Sequence, residues 1–181
     1  MEFNLLKLRA KIRYLTLRGK IGKLSSRIEL PHFNFQMKSI LVCFPVDEAS
    51  FRVASYSLRK FNETSLSHIN FIFLVKEEFK NLIHFPRGHV IYFRIEDGNL
   101  DEQISSKIKL IQQNNHFDLV IDLNPNFQLE ISKLISNISS QYKIGFRSKL
   151  SDKFYNIQLD ISKTGFLERG YQQINLMLAE L

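Results

Sequence analysis

Residues 117–159 read FDLVIDLNPNFQLEISKLISNISSQYKIGFRSKLSDKFYNIQL. An apolar run from Leu119 to Leu123 carries Asp122 near its end, and Asn124-Pro125-Asn126 form a turn. Leu129 to Ser139 has helical spacing, Tyr142 to Phe146 is a short apolar run closed around Gly145, and Phe154 to Leu159 is a further strand candidate. Strand, turn, helix, strand in this order is the repeating unit of a parallel sheet, because parallel neighbours need a crossover between them.

The same alternation extends outward. Ile40 to Phe44, Ile69 to Val75 and His89 to Arg94 are strand candidates. Glu48 to Phe61, Glu77 to Ile83 and Leu100 to Gln113 are helical, the last with Ile104, Ile108 and Ile111 on one face. Lys163 to Leu181 closes the chain with Leu167, Tyr171, Ile174, Leu178 and Leu181 at 4-3-4-3 spacing. Near-continuous apolar strands belong to sheets buried on both faces. The expected fold is α/β: a single Rossmann-like domain, mostly parallel sheet with helices on both faces. The expected division is a basic N-terminal helix or arm over residues 1–30, a linker over 31–37 and the domain over 38–181.

The charge is concentrated at one end. The chain is +7 overall, and eight of its 25 Lys and Arg (Lys7, Arg9, Lys11, Arg13, Arg18, Lys20, Lys23, Arg27) fall in residues 1–28 with one of its 18 acids, Glu2. The other 17 basic and 17 acidic residues cancel. The high pI thus describes the arm, which argues against a nucleic-acid-binding domain. Residues 3–18 read as an amphipathic helix with Leu5, Leu8, Ile12 and Leu15 at 3-4-3 spacing. Three readings of this arm stand: an anionic membrane surface as partner, docking to another protein or onto its own domain, and nucleic acid. The apolar residues of the N-terminus are interrupted by charges, unlike a signal peptide, and no stretch has the length of a membrane span. The expectation is a cytoplasmic protein, peripheral at most on the inner membrane face.

Several chemistries lack their residues. The first strand-to-helix turn, Phe44-Pro45-Val46-Asp47-Glu48-Ala49-Ser50, has no glycine to let a pyrophosphate approach the backbone. NAD, FAD and ATP in their familiar modes are not expected, and no cofactor is. The five histidines are scattered without ligand spacing and the one cysteine, Cys43, sits in an apolar strand, so no metal site is expected. Asp47 is a candidate base or a helix-start acid. Asp122, Asn124 and Asn126 are candidates for a ligand edge or for satisfying loop amides. Gly145, Arg147, Tyr155 and Asn156 complete the ligand-edge candidates.

The order Ile40-Leu41-Val42, Ile72 to Phe79, Asp118 to Leu123, Lys143-Ile144-Gly145-Phe146, Phe154-Tyr155-Asn156 and the closing helix Gly165 to Leu181 resembles the N-terminal, acceptor-binding half of the heptosyltransferase family of GT-B glycosyltransferases. The resemblance covers roughly residues 38–181. It implies a fold built to hold the acceptor in transfer of heptose from an ADP-sugar to the lipopolysaccharide core, with an Asp in the first turn as base. That family's Gly-Asp falls here on Ala49-Ser50, and its nucleotide-binding half has no counterpart in the sequence. The expectation is therefore a non-catalytic accessory protein at the cytoplasmic membrane face, without sugar-nucleotide binding by this chain alone. Half of a split glycosyltransferase and a structural subunit of another assembly are the alternatives.

Overall fold

A computed structural model describes residues 2–24, 37–59, 66–83, 88–114, 116–162 and 165–179. The linker residues 31–36 and Arg27 lie outside the described residues. Helix α1 (Glu2–Leu17) is followed by β1 (Ser39–Cys43), α2 (Glu48–Ser57), β2 (Asn70–Lys76), a 3-10 turn (Glu77–Leu82) and β3 (His89–Phe93). A small hairpin of β4 (Ile95–Glu96) and β5 (Asn99–Leu100) leads into α3 (Glu102–Asn114). Then come β6 (Phe117–Asp122), α4 (Leu129–Ser136), β7 (Ser140–Phe146), β8 (Ile157–Leu159) and α5 (Leu167–Ala179).

Among the described residues, six strands pair in the order β3-β2-β1-β6-β7-β8. Every pairing in this sheet is parallel, with Leu41 opposite Ile72 on one side and Val120 on the other. The chain thus winds outward from β1 in one direction, returns, and winds outward in the other. The reversal leaves a crevice between the carboxyl ends of β1 and β6, where open α/β sheets place their ligands.

Because alternate strand residues face opposite sides, the sheet feeds two cores. Ile40, Val42, Phe73 and Ile144 pack with Phe51 of α2 and Tyr171, Ile174 and Leu178 of α5. Leu41, Cys43, Ile72 and Val120 pack with Ile104 and Ile108 of α3 and Ile131 and Ile135 of α4. Cys43 is fully buried, and burial, then the nearby negative Asp122, raises its thiol well above the ordinary range. The second core also takes Ile12, Leu15 and Ile21. Ile12 is 1% exposed, so the predicted stripe of α1 is occupied by its own domain. Of the arm's cations, Lys11 reaches Glu130 of α4 at 3.7 Å. The chain after α1 is fastened to the end of α4: Asn137 Nδ2 donates to the Lys20 carbonyl (3.0 Å), and the Gly22 amide donates to Ser136 Oγ (3.2 Å).

Two local expectations change. Of the stretch 154–159, Ile157–Leu159 is strand, while Phe154 and Tyr155 turn inward and are buried. The hairpin β4-β5 was not expected; its signal is Asp97-Gly98, where both residues have positive φ (50° and 73°), as a tight hairpin turn requires.

Candidate functional site

The crevice between β1 and β6 is closed by the chain's own polar groups. β6 ends on Asp122, which is 2% exposed. One carboxylate oxygen accepts the Asn124 backbone amide (3.0 Å) and the Asn124 side-chain amide (2.6 Å). The other accepts the Tyr155 hydroxyl. Since the phenol has one hydrogen, Ser132 Oγ of α4 donates to the Tyr155 oxygen (2.9 Å). Asn124 Oδ1 accepts the Val46 amide (2.9 Å), tying the β6 turn to the β1 turn across the crevice.

The electrostatics follow from burial. Desolvation raises the Asp122 carboxyl, while hydrogen bonds from Tyr155 and Asn124 act against the rise. Burial also lifts the Tyr155 phenol well above its ordinary range, and the neighbouring Asp122 adds to this. Tyr171, raised chiefly by burial, donates to the Leu123 carbonyl (2.9 Å) and so supports the same turn from the opposite face.

Asp122, Asn124 and Tyr155, candidates for a ligand edge, are therefore brought together, but as a buried network whose polar atoms face one another. Gly145 serves the same network. A Cβ there would lie 2.7 Å from the Tyr155 ring, so the glycine makes room for the ring rather than for a strand exit. Asn156 stands apart from the crevice. It precedes β8, accepts the Lys143 amide (2.7 Å) and donates to the Gln141 carbonyl (2.9 Å), stitching the sheet edge. Asn126 is exposed on the turn. Arg147 leaves β7 and pairs with Asp160 at 2.8 Å. Asp160 is lowered to about 2, by the Ser162 side chain and backbone first and by Arg147 after them.

Asp47 lies at the mouth of the crevice, exposed, with its Oδ1 accepting the Ser50 amide (2.8 Å) as the N-cap of α2. Glu48 pairs with Arg52 one turn on (2.6 Å). Ala49 and Ser50 sit inside the helix, and Ser50 is buried.

Two features escaped sequence reasoning. Lys143 is buried in β7, and its Nζ donates to the Ser136 carbonyl at the end of α4 (3.0 Å). Burial lowers it to about 8. An isolated Lys inside an apolar strand was the available signal. The second is a surface cavity of about 830 Å³ beside β3 and the start of α3, lined by Glu77, Arg94, Glu96, Asp101 and Lys107 among others. Glu77 is ion-paired with Arg94, whose hydrogen bond is the main reason its carboxyl is lowered. Among the described residues, no cluster of His, Cys, Asp and Glu has the form of a metal site, and no helix is long and apolar enough to cross a membrane.

No family model matches the chain, and no curated protein sequence matches it. Solved structures do. The glycosyl transferase family 9 protein from Veillonella parvula DSM 2008 superposes with a TM-score of 0.61 at 17% identity, covering 86% of this chain and 44% of that one. E. coli heptosyltransferase WaaC with ADP-2-deoxy-2-fluoro heptose gives 0.54 at 17% identity, covering 75% and 46%. The same enzyme with ADP gives 0.53 at 19% identity, covering 75% and 45%. The chain thus spans just under half the length of these proteins. At such identities the likeness establishes architecture, and the chain has the Rossmann-like fold of one half of a GT-B glycosyltransferase.

Proposed function

We propose that the protein is a glycosyltransferase-like accessory or binding module that does not itself catalyse transfer, working at the cytoplasmic membrane face in envelope glycan or lipopolysaccharide assembly. The observation that carries this reading is the state of the first turn and the crevice behind it. General-base chemistry needs a carboxylate free to reach an acceptor hydroxyl. The family's Gly-Asp position is taken by Ala49-Ser50 within α2. Asp47 caps that helix, Glu48 is paired with Arg52, and Asp122 is buried among its own donors. The test is incubation of purified protein with ADP-heptose and a lipopolysaccharide-core acceptor, with products read by mass spectrometry. No transfer above the protein-free blank is expected, and transfer by the purified chain overturns the reading.

A second reading is favoured by one observation, the exposure of Asp47 at the carboxyl end of β1. In it, the protein supplies the acceptor half of a split glycosyltransferase and Asp47 is the base. Activity reconstituted with a donor-binding chain and abolished by Asp47→Asn would establish it. Activity indifferent to that substitution would remove Asp47 from the role.

A further inference from the structure

Helix α1 has two apolar stripes. Ile12 and Leu15 occupy the stripe turned into the domain, while Leu6, Ala10, Tyr14 and Leu17 recur at 4-4-3 spacing on the opposite side. At 3.6 residues per turn these four fall within an arc of about 80°, centred roughly opposite the buried stripe. They are exposed: Leu6 by 60%, Tyr14 by 54% and Leu17 by 88%. On the same wheel Arg9 and Arg13 border the outer stripe on one flank, and Lys7 and Arg18 border it on the other. All four are exposed. Arg18 lies over the Tyr14 ring at 5.2 Å, which places its guanidinium beside the apolar row.

We infer that this outer face of α1 seats the protein on an anionic lipid surface. The inference rests on the membrane location in the proposed function and names the surface responsible for it. The charge pattern selects the occupant. A stripe of Leu and Tyr flanked on both sides by Lys and Arg matches an interface with acyl chains at its centre and acidic headgroups at its borders. Tyr suits the headgroup level because its ring is apolar and its hydroxyl polar. The face is the convex side of one helix, which fits a deformable surface. The buried stripe fixes the helix to the domain, so α1 reaches the surface already folded and oriented, with its domain held above it.

The test uses the full chain with vesicles of phosphatidylcholine and phosphatidylglycerol, against vesicles of phosphatidylcholine alone. Binding to the anionic vesicles that weakens with salt is expected. Leu6→Ser combined with Leu17→Ser, both exposed and hence tolerated by the fold, is expected to lower the partition at least about tenfold. Because the chain contains no Trp, Tyr14→Trp gives a single reporter whose emission shifts to the blue on anionic vesicles. Equal binding by the double variant, or an unshifted Trp, overturns the stripe while leaving a purely electrostatic membrane location standing. No binding by the wild-type chain overturns both, without bearing on the transferase assay. A dimer in solution that the double variant dissolves also overturns the inference, because a second copy would then cover the face.

Discussion

Replacing Gly145 with Ala tests whether the crevice is closed by packing. Gly145 lies in β7 with no positive φ, so an added methyl meets no backbone objection and by propensity alone would help slightly. The obstacle is Tyr155. The new Cβ would stand 2.7 to 2.8 Å from Cδ2, Cγ and Cδ1 of the ring, whereas carbon atoms rest about 3.5 to 4.0 Å apart. The ring must withdraw by about 1 Å. Its hydroxyl is held by Asp122 and Ser132, and the adjoining Phe154 ring packs on Phe127 at 5.4 Å. Withdrawal therefore strains the core or loosens the bond to a buried carboxylate. Overpacking costs about 1 to 3 kcal/mol, and weakening a charged hydrogen bond adds about 1.5 to 3 kcal/mol at most, so a loss of about 3 kcal/mol is expected in urea unfolding followed by circular dichroism. In a Tyr155→Ala background the methyl enters space the ring has left, and the same substitution should cost less than about 1 kcal/mol, a coupling of about 2 kcal/mol. An equal cost in both backgrounds refutes the contact as the reason for the glycine.

Asp122→Asn should be tolerated at neutral pH, since an amide can accept from Asn124 and donate to Tyr155, whereas Asp122→Ala, which strands both partners, should cost about 3 kcal/mol. Because the folded-state pKa of Asp122 is raised, its stabilising contribution is complete below the unfolded value and fades as pH rises through the folded one. The stability of Asp122→Asn relative to wild type should accordingly grow as pH rises from the unfolded value through the folded one and then level, and a constant difference would exclude that titration. Lys143→Met should stabilise the protein at pH 7, by removing a desolvated charge. Lys143 is lowered from 10.5 to about 8, so the unfolded state binds more protons between those values. Wild type should gain on the variant as pH rises from about 8 to about 10.5, and parallel profiles would contradict the shift.

The strands were legible because burial on both faces writes itself as runs such as Leu119 to Leu123, and the helices because α3 and α5 carry one-sided periodicity. The Asp122 network was half legible. Asp122, Asn124, Gly145 and Tyr155 all stood out, but as candidates to meet a ligand. That they meet one another depends on Tyr155 turning back over Gly145, a contact across β7 that no local pattern announces. Sequence spacing also found the inner stripe of α1 through Leu8, Ile12 and Leu15. It left open whether the domain itself takes that stripe, and so leaves Leu6, Tyr14 and Leu17 outside, because a choice between two apolar faces is made by tertiary packing. The β4-β5 turn is signalled by Asp97-Gly98, which falls in the gap between the strand expected to Arg94 and the helix expected from Leu100.

The attachment of α1 and the buried Lys143 converge on one atom, the Ser136 carbonyl at the end of α4. It accepts Lys143 Nζ at 3.0 Å, and a Cβ added at Gly22 would approach it to 2.1 Å. Gly22→Ala should therefore displace either the carbonyl or the segment holding Lys20 and Gly22, at about 1 to 3 kcal/mol. Hydrogen exchange should rise in α1 before it rises in β1 or β6. With Lys143 in place the carbonyl cannot yield without stranding a buried ammonium. With Lys143→Met that restraint is gone, and the carbonyl is free to turn toward solvent. Gly22→Ala should then cost less, so the two substitutions should couple by about 1 kcal/mol in a double-mutant cycle. Additivity within about 0.3 kcal/mol would show that the α1 segment gives way alone and that the joint does not share the Lys143 acceptor.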